Sequence, residues 1–88
     1  MNEIMMLVIG LVNLEINFTF EIDERLGYEG AHVTFEKDGE NFSVIWNYCS
    51  YGYRDGLLEA WTKGGKTFEE PVGWLTAVDI LKELQGGK

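Results

Sequence analysis

Apolar and polar side chains alternate strictly over residues 14–23. Leu14, Ile16, Phe18, Phe20 and Ile22 share one side; Glu15, Asn17, Thr19, Glu21 and Asp23 share the other. A period of two belongs to a strand with one face on a core and one in water. Residues 27–30, bounded by Gly27 and Gly30, punctuate the chain as a turn. Ala31, Val33 and Phe35 then alternate with His32, Thr34 and Glu36, which predicts a second strand. Asp38-Gly39 follows, a pair favoured in two-residue hairpins because both central residues take φ > 0. The return strand is predicted over residues 42–48, with Phe42, Val44, Trp46 and Tyr48 on one side. Ile45 on the opposite side predicts partial cover there. After a loop over 49–56, residues 57–62 predict a fourth strand, closed by Lys63-Gly64-Gly65-Lys66.

The C-terminus changes to a helical period. Thr76 is a good N-cap, Asp79 three residues on completes a shortened capping box, and Leu75 and Ile80 stand where a hydrophobic staple would. Ala77, Ile80, Leu81 and Leu84 form one stripe, and Gly86 can end the helix, which is predicted over 76–85. The run 4–12 has no polar side chain. Joined to 14–23 it would make a strand far beyond the usual length. Gly10 and Asn13 instead set residues 1–13 apart as a separate strand or short helix, apolar on all sides and therefore buried or at an oligomer interface. The pattern predicts an α+β fold in a single domain over 1–88, an antiparallel sheet of about four strands across residues 14–62 with one C-terminal amphipathic helix packed on a face.

With 88 residues, 45% apolar and 14% aromatic, the chain is long enough for one core and too short for two. Fifteen acids against seven bases give a net charge of −8, which argues against direct nucleic-acid binding by bulk electrostatics. The excess is lopsided: residues 1–44 carry nine of the acids and only Arg25 and Lys37 as bases. The apolar run is too short to span a bilayer, follows Glu3 rather than a basic residue, and lacks a small-residue cleavage site, so no membrane or secretion role is expected. Cys49 is the only cysteine, consistent with a reducing, cytoplasmic setting.

Candidate chemistry is sparse. Gly64-Gly65-Lys66-Thr67 has the tail of a phosphate loop, but Ala60 stands where its first glycine belongs and Pro71 soon follows instead of a helix, so a solvated turn is expected. Cys49 and His32 are the only pair that could make a thiol nucleophile, and a lone cysteine is more often a small buried hydrophobe. Two nitrogen or sulfur ligands fall short of the four a structural zinc takes. Neither metal nor cofactor is expected. The loop from Tyr48 to Gly56 gathers Tyr48, Tyr51 and Tyr53 with two glycines, a composition suited to protein contact.

The segments Gly27-Tyr28-Glu29-Gly30, Phe42-Ser43-Val44-Ile45-Trp46, Ser50-Tyr51-Gly52-Tyr53, Gly56-Leu57-Leu58-Glu59-Ala60-Trp61 and Gly73-Trp74-Leu75-Thr76 together resemble small acidic accessory proteins encoded by phages and prophages of Gram-positive bacteria. The resemblance spans about residues 14–84 and carries no catalytic signature. It implies a non-enzymatic protein in the host cytoplasm that binds and inhibits a host protein, including nucleic-acid-binding ones such as CRISPR nucleases. The charge pattern adds a mode of binding: Glu15, Glu21, Asp23, Glu36, Asp38 and Glu40 would form an acidic, DNA-mimic-like docking face, with Tyr51 and Tyr53 as its apolar anchor. A structural homo-oligomeric accessory protein is the alternative, and a small thiol or carboxylate enzyme a further one. The excess of apolar side chains in residues 4–12 predicts a homodimer in either case.

Overall fold

The computed structural model describes residues 2–85. The elements run α1 (Asn2–Asn13), β1 (Phe18–Ile22), β2 (Ala31–Lys37), β3 (Glu40–Trp46), a 3-10 turn (Tyr53–Asp55), β4 (Leu58–Thr62), β5 (Val72–Leu75) and α2 (Ala77–Leu84). The strands pair antiparallel in the order β1-β2-β3-β4-β5, a meander in which each strand neighbours the next. Both helices lie on one face. The buried side chains of α1 (Ile4, Leu7, Leu11) and α2 (Ala77, Ile80, Leu84) join Ala31, Val33, Phe35, Phe42, Val44, Trp46, Leu58 and Ala60 in one core. The fold is α+β, as the alternation predicts, with one strand more than the four expected and with a helix at the N-terminal segment, where the pattern allows strand or helix.

The central strands follow the pattern closely. Ala31, Val33 and Phe35 are buried, as are Phe42, Val44 and Trp46 across from them. The hairpin turns at Asp38 (φ 54) and Gly39 (φ 83), the left-handed pair that a two-residue turn requires. α2 starts at its predicted capping box: Thr76 Oγ1 accepts from the Asp79 N–H at 3.1 Å, and Asp79 Oδ2 accepts from the Thr76 N–H at 2.9 Å. Gly86, expected to end the helix, lies outside the described residues.

Of the two conformations the pattern allows for the N-terminal segment, the structure takes the helix, with Ile4, Leu7 and Leu11 buried and Met5, Met6, Ile9 and Val12 exposed. Two expectations need correction. Strand β1 begins at Phe18 rather than at 14, because residues 14–16 close α1. There the Ile16 N–H donates to Leu11 O at 2.9 Å and the Glu15 N–H to Val12 O at 3.0 Å, with Glu15 itself left-handed at φ 60, a Schellman closure that consumes the alternating pattern. Leu14 is therefore exposed, and so is Ile22 at the other end of β1. The unforeseen strand β5 pairs with β4 through a bulge between Leu58 and Ala60.

The helices sit close. Gly10 faces the Leu81 side chain where a Cβ would collide with it, and Glu3 Oε1 accepts from the Ala77 N–H at 2.7 Å. A carboxylate at the start of α2 satisfies a donor the helix cannot and complements its dipole.

Candidate functional site

The face of the sheet opposite the helices is uncovered by either of them. Pairing sets its side chains in rows: Glu21, His32, Ile45 and Glu59 across β1–β4, then Thr19, Thr34, Ser43 and Trp61. Glu36 and Asn41 form the next step outward. The outer part of this face is a hollow of about 510 Å³ lined by Thr19, Thr34, Glu36, Asn41, Ser43 and Trp61, with Lys63 at its rim.

The six acids expected to act together divide into three kinds. Glu21 and Glu36 are exposed and belong to the uncovered face. Asp23 and Glu40 serve the fold. Asp23 accepts from Arg25 Nε at 3.2 Å and Asn47 Nδ2 at 2.8 Å, and these bonds, Arg25 first, hold its carboxyl below the usual range. Glu40 accepts from the Lys66 N–H at 2.8 Å, the Thr67 N–H at 2.9 Å and Thr67 Oγ1 at 2.9 Å. Those donors, the Thr67 N–H foremost, also depress the Glu40 carboxyl. Asp38 pairs with Lys37 at 3.0 Å on the hairpin tip, and Glu15 sits at the end of α1. Glu59, which sequence reasoning did not select, belongs to the row with Glu21; its Oε1 accepts from the Tyr51 N–H at 2.8 Å.

The Glu40 contacts also decide the glycine-rich turn. The backbone donors of Lys66 and Thr67, which an incoming phosphate would need, already hold a carboxylate of the chain itself.

The tyrosines separate as well. Tyr53 closes the core: its ring lies 4.6 Å from that of Trp46, its hydroxyl donates to Glu29 O at 2.6 Å, and its carbonyl accepts from Trp46 Nε1 at 3.1 Å. Tyr51 turns outward and stacks on Trp74, with ring centroids 5.6 Å apart and planes 11° from parallel; both residues are 58% exposed. This pair is built by glycines. Gly52, at φ 92, leaves no room for a Cβ, which would stand 3.0 Å from Trp74 N, and a Cβ on Gly73 would collide with that of Tyr51. Trp74 itself has φ 56, a rare conformation for a bulky residue, at the bulge that turns its ring outward. A hollow of about 310 Å³ lies beside the pair, lined by Tyr48, Tyr51, Tyr53 and Trp74 with Arg54 and Asp55. The sequence offered one signal for Trp74, an aromatic flanked by glycine in a stretch with no apolar periodicity.

Nucleophile chemistry finds little support. His32 Nε2 lies 2.8 Å from Ser43 Oγ, so its hydrogen-bond partner is a serine and not Cys49, which is exposed in the loop with its N–H donated to Asn47 Oδ1. The serine–histidine contact has the first distance of a hydrolytic pair. It lacks the rest: among the described residues no carboxylate bonds to the imidazole, and Ser43 sits within a central strand paired on both sides, where ladder N–H groups are spent and cannot form an oxyanion hole. Among the described residues no group of three or more His, Cys, Asp or Glu side chains is placed to hold a metal ion. Among the described residues, too, no helix is long and apolar enough to cross a membrane.

Comparison with protein-family models, with curated proteins and with solved structures finds no match to this chain.

Proposed function

We propose that the protein is a non-enzymatic binding module that docks on a basic surface of another protein through its uncovered sheet face. The observation that carries this reading is the placement of Glu21 and Glu36: both exposed on that face, and neither in an ion pair among the described residues. Unpaired carboxylates on an ordered strand array can be matched by lysine and arginine side chains with little reorganisation, and the net charge of −8 steers such a partner in. Tyr51 and Trp74 supply the apolar part of the contact. Exposed, rigidly held aromatic faces are suited to an arginine guanidinium, which stacks on them while its charge meets nearby acids. The phage-type resemblance points to a nucleic-acid-binding protein of the host, a CRISPR nuclease being one such, encountered in the host cytoplasm. In this reading the contact set is Glu21, Glu36, Tyr51 and Trp74, because Asp23, Glu40 and Tyr53 are engaged within the fold.

The test is fluorescence anisotropy with a labelled arginine-rich peptide between about 50 and 200 mM salt, the range over which contacts made to phosphate-like charge weaken. Glu21→Lys and Glu36→Lys, each made singly, should weaken binding at least about threefold and flatten its salt dependence. Glu83→Lys, on the exposed side of α2, makes the same change in net charge as either single reversal and should alter binding far less. Equal losses for both sites would show that only bulk charge matters and would end the reading.

A further inference from the structure

We infer that the protein pairs with a second copy of itself along β1, so that the sheet continues across a two-fold axis at Phe20. The sheet has two edges and they are treated differently. β5 is four residues long, follows Pro71, contains Gly73 and is bulged, all of which discourage further pairing. β1 has none of these guards. Its five residues pair with β2 without a break in register and include neither proline nor lysine. The Asp23 N–H donates to Gly30 O at 3.0 Å, one step beyond the strand in the same register. Antiparallel alternation then points the groups of Glu21 and Thr19 toward β2, and leaves the N–H and C=O groups of Phe18, Phe20 and Ile22 facing outward.

The side chains beside this edge are apolar and incompletely covered. Phe18 and Phe20 are half-buried against the core and Ile22 is 61% exposed. A groove of about 580 Å³ between α1 and β1 is lined by Val12, Ile16 and Phe18 together with Glu15 and Asn17. From there the outward arc of α1 continues with Met5 and Ile9, both exposed. The one charged side chain of α1, Glu3, is held by the start of α2. A chain of net charge −8 needs a self-contact that sets no acid directly against another, and β1, whose one charged residue is Glu21, allows such a register.

Self-pairing also has a register that the charges select. With the axis at Phe20, the two Phe20 residues face each other, Phe18 faces the partner's Ile22, and three outward-pointing residues per copy exchange ladder hydrogen bonds. On the core side the two apolar rows merge under the flank of each α1. On the water side Thr19 meets the partner's Glu21. A shift that centred the axis on Glu21 would set carboxylate against carboxylate, and any slip by one residue would turn an apolar row into water. The inference rests on the sheet edge and the helix-side face, Glu21 entering only opposite the partner's Thr19, and self-association is read without any basic partner, so its failure is distinguishable from that of the docking reading.

Sedimentation equilibrium on the full chain and two variants at Thr19 tests it. Thr19 is exposed on the water side, so changes there should leave the core intact, with circular dichroism of each variant as the check. The wild type should sediment as a dimer at tens of micromolar. Thr19→Glu places two like-charge pairs across the axis and should raise the dissociation constant about tenfold; Thr19→Lys places two opposite-charge pairs there and should lower it. A monomeric wild type at 100 micromolar, including one that binds another protein's strand instead, overturns the inference, as does a dimer indifferent to both substitutions.

Discussion

Leu26 stands where backbone geometry favours asparagine or glycine. The β1–β2 connection turns on Leu26 (φ 55) and Gly27 (φ 80), closed by the Tyr28 N–H to Arg25 O at 2.8 Å and the Arg25 N–H to Tyr28 O at 3.2 Å. A left-handed leucine costs about 1 kcal/mol or more, and Leu26 recovers none of that by packing, being 82% exposed. Leu26→Asn restores the asparagine–glycine pair of a tight hairpin and should stabilise the protein by about 1 kcal/mol, a rise of about 4–8 °C in Tm for a domain of this size. An unchanged or lower Tm would show that the leucine earns its conformation through contacts within the fold. Trp74 carries the same kind of strain but has a partner for it. Its ring is held against Tyr51 by two glycines that bring the backbones together, so the strain there accompanies a built surface.

At the scale of elements, α2 shows how much a local signal can fix. Thr76 and Asp79 satisfy each other's backbone donors, and that arrangement is what the spacing implies before any tertiary contact is known. Thr76→Ala should cost about 1 kcal/mol in chemical denaturation, and Asp79→Ala a comparable amount at neutral pH. The Asp79 carboxyl is held below its ordinary range by the Thr76 N–H first and the Thr76 hydroxyl second. A depressed carboxylate contributes stability above the unfolded-state value and loses it as pH falls through the folded one, so the Asp79→Ala deficit should shrink in acid. Strands β2, β3 and β4 were equally legible, since Val33, Val44 and Ala60 alternate with water-facing residues and the Asp38-Gly39 turn fixes the register. α1 was not: its outward Met5 and Ile9 are as apolar as its inward Ile4 and Leu7, and a helix without a polar side shows no period. β5 was hidden for the opposite reason, being four residues with a glycine and a bulge. The candidate site was legible only in part. Glu21 and Glu36 follow from strand parity, whereas the engagement of Asp23 by Asn47 and of Glu40 by Thr67 joins residues 24 and 27 apart, which no local pattern announces.

For the molecule as a whole, the surface is sorted: carboxylates on the uncovered sheet face, apolar side chains along α1 and the free edge, stacked aromatics at the β5 corner. Some of the acids are held within the fold instead of belonging to that surface, and Glu40 is the clearest case. It ties the start of β3 to the turn after β4 through three hydrogen bonds, at a place where no helix covers the sheet end. Its carboxyl, like those of Asp23 and Asp79, is held below the ordinary range. All three shifts have the same sign, so in each case the unfolded chain binds the proton more readily than the folded one. Their stabilisation is complete above the ordinary carboxylate pKa of about 4 and is lost as pH falls through the lower folded values. Glu40→Gln keeps the shape and an acceptor oxygen but removes the charge that strengthens the three bonds. The variant should unfold at lower denaturant than wild type at pH 7, and the gap should close as both are taken into acid below the ordinary carboxylate range, as wild-type Glu40 itself becomes neutral. Urea midpoints measured from pH 7 downward would decide the matter: a gap that stays constant with pH would mean that Glu40 acts through its shape alone, and that the negative charge retained there does nothing for the fold.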